Sequence, residues 1–568
     1  MGSLTICING QEVQAEEGST VLEAAKAAGV DIPTLCHHPA LENWGGCRMC
    51  LVEVEPRGLL HSACTFPVSP GLRLQTHSEK VVRARQYVLQ WLFSERSHYC
   101  MYCPSSGECD LQSQAYKHGL EHWTWNAPNK RLPLDASRQH FIYDHSRCIL
   151  CRRCVRACGE ISAVHTLGMG QRGAKTTVVA DLNAPFNSST CISCGTCLQV
   201  CPTGALIDRR SAYMGRTDQL EATKSTCAGC SIGCGIVGRT RNNQLLRIEG
   251  DWDAPVNGGL LCRLGRFEPL YVTAQRVTAP MRKVGGQLQP CSWEEALAAI
   301  ASRANGSTSL LVSSRATNEE MDAAKEAGAA AVALYGGAAC QAAPGQAANL
   351  SDIPRAKAIV GIEADLDGEH EVAACFARRA LDNGARLYLL GGQADKLALL
   401  ARLSGDASRA GEVAAEVAAA GDAVVLYGPA AKAETLASFA DVPGVRFLGL
   451  PAGANTAAAV ARDLAQSDGG RCGLLYVYAA DDAQASTPEA KADFLVAHAC
   501  YRSALTEAAD VVLPSLHWSE KEGHLTNLEG KVQALHRLVE PAAGLRDDRD
   551  VLAAALGASQ SGGCDGEA

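Results

Sequence analysis

The chain has 568 residues, enough for several domains that each bury a core, and with 47% hydrophobic and 20% charged residues it reads as a globular protein. A net charge of -9 supplies no basic stripe for nucleic acid. No stretch offers the roughly 18 uninterrupted apolar residues of a membrane span, and the start "MGSLTICINGQEV" has neither the basic nor the apolar region of a secretion signal, so a cytoplasmic protein is expected.

In chain order, residues 3–10 and 12–15 alternate like two short strands about the Asn9-Gly10 turn, a strong hairpin signal. "STVLEAAKAAG" follows with a Ser/Thr cap and helical spacing, and Gly29 stops it. Residues 80–95, "KVVRARQYVLQWLFSE", predict a helix that leads into a cysteine group. Residues 140–210 hold eight more cysteines. Past residue 275 the texture changes to apolar strands ("SLLVS", "AIVGIEA", "RLYLLGG", "AVVLYG", "VRFLGL", "GLLYVYA") separated by Ala-rich helical stretches, which predicts parallel α/β layers. The tail "SQSGGCDGEA" has the composition of a disordered segment.

Cysteine placement decides the chemistry. Twenty of the 26 cysteines precede residue 263, mostly in CxxC groups too tightly spaced for a relaxed disulfide framework, so metal ligation is the physical reading. The first set is Cys36, Cys47, Cys50 and Cys64, in a loop whose glycines let backbone N–H groups approach the sulfurs. The second, in "SHYCMYCPSSGEC", is Cys100, Cys103 and Cys109, three thiolates that leave a fourth ligand to be found. The third and fourth, Cys148, Cys151, Cys154, Cys158 and Cys191, Cys194, Cys197, Cys201, both read C-x2-C-x2-C-x3-C, the bacterial two-cluster ferredoxin run, in which the last cysteine of each run serves the other cluster. Two cubes are therefore expected, one on Cys148, Cys151, Cys154 and Cys201 and one on Cys191, Cys194, Cys197 and Cys158. The fifth set is Cys227, Cys230, Cys234 and Cys262. Zinc is the alternative for the first set and for the tandem runs. Arg147, Arg152, Arg153 and Arg156 around the third set admit two readings, raised cluster potentials or a solvated basic face.

From residue 3 to about 270 this order of sites resembles the large iron-sulfur subunit of the NADH-dehydrogenase module, as in respiratory complex I and its soluble hydrogenase and NAD-dependent formate dehydrogenase relatives. The resemblance implies one [2Fe-2S] cluster on the first set and [4Fe-4S] clusters on the others. In complex I the fourth ligand of the second cluster is a histidine four residues before the first cysteine; here that position is Arg96, which cannot ligate. His98 matches the arrangement of the hydrogenase diaphorase subunit and is the expected ligand, with His118 or solvent as alternatives. The fifth set, with "IVGRTRNNQLLRIEGDWDAPVNGGLLCRLGRF", resembles the [4Fe-4S] domain of molybdopterin oxidoreductases. "SWEEALAAIASRA" and "SALTEAADVVLPSLHWSEKEGHLTNLEGKVQAL" extend that resemblance more weakly.

Molybdenum itself is not expected. The family's loop commonly reads C-x-K-G-R, with the lysine bridging cluster and pterin, whereas Leu264 stands there, and only about 300 residues follow Cys262. Cys340 is the one cysteine placed to ligate molybdenum and is read instead as a buried small residue. His517, Asp481 and Asp482 receive no site role. No GxGxxG follows a strand, and "LLGGQADK" and "VLYGPAAK" are weak glycine turns, so nucleotide and flavin chemistry belong on another chain.

The expected architecture is a multidomain α+β and α/β chain. It comprises a [2Fe-2S] ferredoxin-like domain (1–79), a [4Fe-4S] domain with one histidine and three cysteine ligands (80–120) and a two-[4Fe-4S] ferredoxin domain (138–212). A molybdopterin-oxidoreductase-type [4Fe-4S] domain (220–275), a degenerate molybdopterin-oxidoreductase-like α/β domain (276–558) and a flexible tail (559–568) follow. The expected function is electron transfer within a multi-subunit NAD(P)-linked oxidoreductase, with no catalytic residue on this chain. Implied partners are a flavin (FMN) NADH-dehydrogenase-type subunit, a small thioredoxin-like [2Fe-2S] subunit and a second redox enzyme such as a hydrogenase, formate dehydrogenase or other reductase. The rivals are a compact formate dehydrogenase-like subunit with its own molybdopterin and the peripheral arm of an NADH:quinone oxidoreductase.

Overall fold

The Asn9-Gly10 turn closes a hairpin of Ser3–Ile8 and Gln11–Glu16, in register from Ser3 opposite Glu16 to Ile8 opposite Gln11. In this computed structural model, which describes residues 2–125, 132–304, 308–466 and 471–557, the hairpin is one edge of a five-stranded sheet. Arg73–Gln75 pairs parallel with Ser3–Ile8, and Leu51–Val54 and Leu59–Ser62 complete it. Thr20 caps the helix Val21–Ala27 and shares a capping box with Glu23, worth about 1 kcal/mol. That helix lays Val21, Leu22, Ala24 and Ala25 on a core with Ile6, Ile8, Val52 and Leu74. The tail expected at 559–568 lies outside the described residues.

The predicted second helix runs from Glu79 to Glu95 with Ser78 as its cap. Its Val88, Leu89 and Phe93 pack with Leu35 and Met49 of the first cysteine loop and with Leu111 and Ala115 of the helix Asp110–Lys117. One small core thus fixes the first two cysteine sets to a common support. The tandem cysteine segment is drawn into a loop because Phe141–Asp144 at its start pairs antiparallel with Leu206–Asp208 at its end. Short helical turns, Arg153–Arg156 and Thr196–Gln199, carry the middle of each run.

The chain divides into two compact units, Met1–Leu220 and Glu221–Ala568. The second opens with an antiparallel meander, Glu221–Thr226, Gly235–Arg241 and Gln244–Gly250, which the apolar pattern alone did not announce. Beyond it lie two α/β sheets. In one, all five strands are parallel, in the order Leu403–Gly405, Arg386–Leu390, Ala358–Ile362, Ala423–Tyr427, Val445–Gly449. Its central strands are buried along their whole length, as a sheet covered on both faces requires.

The other sheet has eight strands, parallel except for an antiparallel edge. Thr308–Ser313, Ala331–Tyr335, Arg471–Ala480, Lys491–Ala499 and Val511–Pro514 are parallel to their neighbours. The hairpin Met281–Val284 and Gln287–Pro290, with five of its eight strand residues exposed, adds antiparallel to Val511–Pro514 as an edge. Such a polar, two-strand edge has no apolar run to signal it.

An ionic cluster lies inside this second unit. Lys521 Nζ stands 2.9 Å from Glu320 Oε1 and 2.8 Å from Asp548 Oδ2, and donates to Tyr478 OH at 2.6 Å. Asp548 also accepts from Ser515 Oγ at 2.9 Å and lies 3.0 Å from His498 Nε2. All of these side chains are buried.

Candidate metal centres

The first loop brings Cys36, Cys47, Cys50 and Cys64 into mutual contact, with Cys50 and Cys64 sulfurs 3.4 Å apart. Backbone N–H groups of Cys47 and Gly46 donate to the Cys36 sulfur. The loop therefore already presents donors to sulfur in its folded form, the arrangement that stabilises a reduced iron-sulfur cluster.

Cys100, Cys103 and Cys109 line one cavity together with His98, Phe93 and Arg147. His98 Nε2 is buried and has no hydrogen-bond partner, while the ring packs edge-on to Phe93 at 5.4 Å. Burial pushes its pKa down to about 4, so the imidazole stays neutral and able to ligate. The other candidate, His118, closes the helix Asp110–Lys117, and its Nδ1 meets the Gln114 carbonyl at 3.0 Å, outside the cavity lining. Arg96 is a clamp, donating to the His145 and Thr176 carbonyls at 2.7 and 2.8 Å. Gly204 borders the same space: a Cβ there would lie 2.5 Å from Cys103 Sγ.

The tandem runs exchange their last cysteines. Cys148, Cys151, Cys154 and Cys201 line one cavity, and Cys158, Cys191, Cys194 and Cys197 line another. Side chains with no motif of their own supply further donors: Tyr143 OH to Cys148 Sγ at 3.4 Å, Thr196 Oγ1 to Cys194 Sγ at 3.5 Å, and Ser162 Oγ beside Cys194 Sγ at 3.3 Å. Sequence reading missed these donors because a hydroxyl two to five residues from a cysteine is too common to stand out.

In the second unit Cys227, Cys230, Cys234 and Cys262 are all buried, and Cys230, Cys234 and Cys262 each feel the charge of others in the set. The backbone N–H of Cys227 donates to the Cys234 carbonyl at 2.8 Å. Asn257 ties the returning loop by donating to the Gly235 and Leu260 carbonyls at 3.1 and 2.7 Å. Backbone groups of Gly265 and Leu264 face the Cys262 sulfur, and a Cβ on Gly265 would lie 3.0 Å from Cys227 Sγ.

The donor sets fit polynuclear iron. Burial pushes the Cys109, Cys158 and Cys262 thiols up to about 12, so as thiolates they need positive charge beside them. The thiols of the second, third and fourth sets each line a cavity.

Five family models match the chain in the same order. They are the 2Fe-2S iron-sulfur cluster binding domain (2–79), the NADH-ubiquinone oxidoreductase-G iron-sulfur binding region (85–123), the 4Fe-4S dicluster domain (136–205), the molybdopterin oxidoreductase Fe4S4 domain (220–273) and molybdopterin oxidoreductase (444–557). Over about half its length the chain is similar to subunits of NADH-quinone and NADPH-Fe(3+) oxidoreductases. It is 34% identical over 298 residues to an NADH-quinone oxidoreductase subunit of Rhizobium meliloti (strain 1021), covering 52% of this chain and 34% of that one. It is 33% identical over 299 residues to the NADPH-Fe(3+) oxidoreductase subunit alpha of Geobacter sulfurreducens, with the same coverage. A solved chain of an NAD+-reducing [NiFe]-hydrogenase shares 34% identity, covering 38% of this chain and 92% of that one, with a TM-score of 0.34. The chain thus spans about a third of the length of the curated relatives it matches.

The residues set aside in the sequence fall as follows. Cys340 packs against the core of the five-stranded sheet and its Sγ donates to the Tyr427 carbonyl at 3.4 Å. His517 and Asp481 are buried, with His517 Nε2 4.0 Å from the Asp481 carboxylate, which also lies 3.8 Å from Arg315. Asp482 accepts from the Gln484 N–H in a turn. No described helix is long and apolar enough to cross a membrane.

Proposed function

We propose that this chain is an electron-transfer subunit of an NAD(P)-linked oxidoreductase complex, holding one [2Fe-2S] cluster on Cys36, Cys47, Cys50 and Cys64 and four [4Fe-4S] clusters. The four-iron sets are His98 with Cys100, Cys103 and Cys109; Cys148, Cys151, Cys154 and Cys201; Cys158, Cys191, Cys194 and Cys197; and Cys227, Cys230, Cys234 and Cys262. The gathering of twenty ligand side chains into sets of four is the observation that carries the reading. Iron-sulfur clusters supply one-electron chemistry when bound. The protein's own part is to hold thiolates in buried positions, direct N–H and O–H donors at sulfur and exclude water, which lets charge change with little reorganisation. Hydride chemistry moves electrons in pairs, so a flavin (FMN) subunit is the implied electron source or sink, with a thioredoxin-like [2Fe-2S] subunit and a second redox enzyme as further partners.

We assign the C-terminal sheets to docking, without molybdopterin: an apolar Leu264 replaces the bridging lysine, and Cys340 is packed against a core. The test is metal and sulfide analysis of anaerobically purified protein, with about 18 irons per chain and no stoichiometric molybdenum or tungsten expected. Stoichiometric molybdenum that disappears in Cys340→Ala would overturn the docking assignment. Co-purification of a flavoprotein is expected, and its absence from the native complex would overturn the placement beside NADH chemistry.

A further inference from the structure

The arginines around the third cysteine set do not form a solvated face. Arg153 is buried, the other three are half-buried, and each reaches toward a neighbouring set within the N-terminal unit. Arg147 precedes Cys148, yet its side chain lies within hydrogen-bond reach of the Cys103 sulfur and lines that cavity. Asp144 orients it through Nε at 2.8 Å, and Nη1 is left buried without an oxygen partner. Arg153 Nη1 donates to Asp110 at 3.1 Å, one residue beyond Cys109. Arg156 lies between Cys154 and Cys158 but donates to the Cys36 and Glu42 carbonyls of the first loop. Glu160 accepts from the Glu42 N–H at 2.8 Å, and Arg152 stacks on Trp44 at 4.6 Å.

We propose that Arg147 and Arg156 are shared potential-setting residues. Each belongs by sequence to the Cys148 set and by contact to a second one, Arg147 to the Cys103 set and Arg156 to the Cys36 set. An added electron makes a thiolate-bound cluster more negative, and a fixed guanidinium in part-buried surroundings stabilises that form. A donor shared by two sets raises both potentials together and so keeps neighbouring steps nearly level. Arg153 and Arg152 are placed differently, the first on the Asp110 carboxylate and the second over the Trp44 ring rather than on a cysteine of a second set, and act as clamps.

The inference rests on the cluster assignments above, and the experiment separates the two. EPR-monitored redox titration of the holo-protein should show, in Arg147→Gln, a reduced-to-oxidised ratio of the Cys103 cluster at fixed poise lower by roughly tenfold, with the [2Fe-2S] signal unmoved. Arg156→Gln should do the reverse, and both should lower the Cys148 cube. Lysine variants, which keep charge but not the two-pronged reach, should shift the same signals less. Parent protein without the cluster signals would sink the assignments. Clusters present with unmoved potentials, or one uniform shift that includes the Cys227 set, would overturn the shared-arginine proposal. Should a glutamine variant fail to load iron, the lysine variant decides, and no shift there overturns it.

Discussion

His98 offers a metal only its Nε2, and that nitrogen is the buried, unpartnered one beside three thiols. His98→Ala is expected to lose the EPR signal and about four irons of the second set, while His98→Cys retains iron; an unchanged iron count in the alanine variant would dismiss the ligand. Spacing alone left two histidines open, because it does not reveal that one ring faces the thiols while the other caps a helix. The buried Lys521 cluster was wholly illegible: its members are scattered from Glu320 to Asp548, and pairing of distant charges leaves no local pattern. Lys521→Met should destabilise the second unit by about 3–5 kcal/mol, because it strands two buried carboxylates; denaturant unfolding measures this. Burial opposes ionisation of Asp548, but Lys521 and His498 hold its pKa below the ordinary carboxylate range. A depressed carboxylate stabilises the fold above its unfolded pKa of about 3.9, and that contribution is lost as pH falls further. Unfolding of the second unit should therefore ease steeply below about pH 4, and less steeply in Asp548→Asn than in the parent.

At the scale of elements, the helix Glu79–Glu95 matters through its inner face. Phe93 touches the His98 ring and stacks on Trp123 at 5.6 Å, so the helix braces the second cysteine set from behind. Phe93→Ala is expected to cost about 3–5 kcal/mol in a core of this kind. It should also speed chelator-driven loss of the His98 cluster relative to the tandem cubes, followed by absorbance; equal rates of loss would remove the brace. This helix was readable from the helical pattern of residues 80–95, and the parallel strands were readable as continuous apolar runs. The Met281–Pro290 hairpin and the 221–250 meander were not, since strands of mixed polarity are named by their partners rather than by their own residues. Strand order likewise depends on crossovers that no single segment encodes.

For the molecule as a whole, four of the five cysteine sets lie in Met1–Leu220, so that unit is expected to depend on metal far more than Glu221–Ala568, which owns two extensive sheet cores. Stripping iron with a chelator should abolish hydrogen-exchange protection across the first unit while the strands Ala358–Ile362 and Ala423–Tyr427 stay protected. Loss of protection in both units alike would mean that the sheets also lean on iron. The chain order of sites was legible from cysteine spacing; the division of labour between a metal-dependent half and a self-sufficient half is visible only once the cores are drawn.

The exchange of Cys158 and Cys201 between the tandem runs has a consequence for biosynthesis. Neither cavity gathers its four sulfurs from one run: the earlier run waits for Cys201, and the later run must find Cys158 already made. During translation no complete binding place exists in this segment until residue 197 has left the ribosome, and the second is whole only at residue 201, whereas the first loop is whole by residue 64. Cluster delivery to the tandem segment is thus timed by the chain itself, with both cubes becoming insertable at almost the same moment.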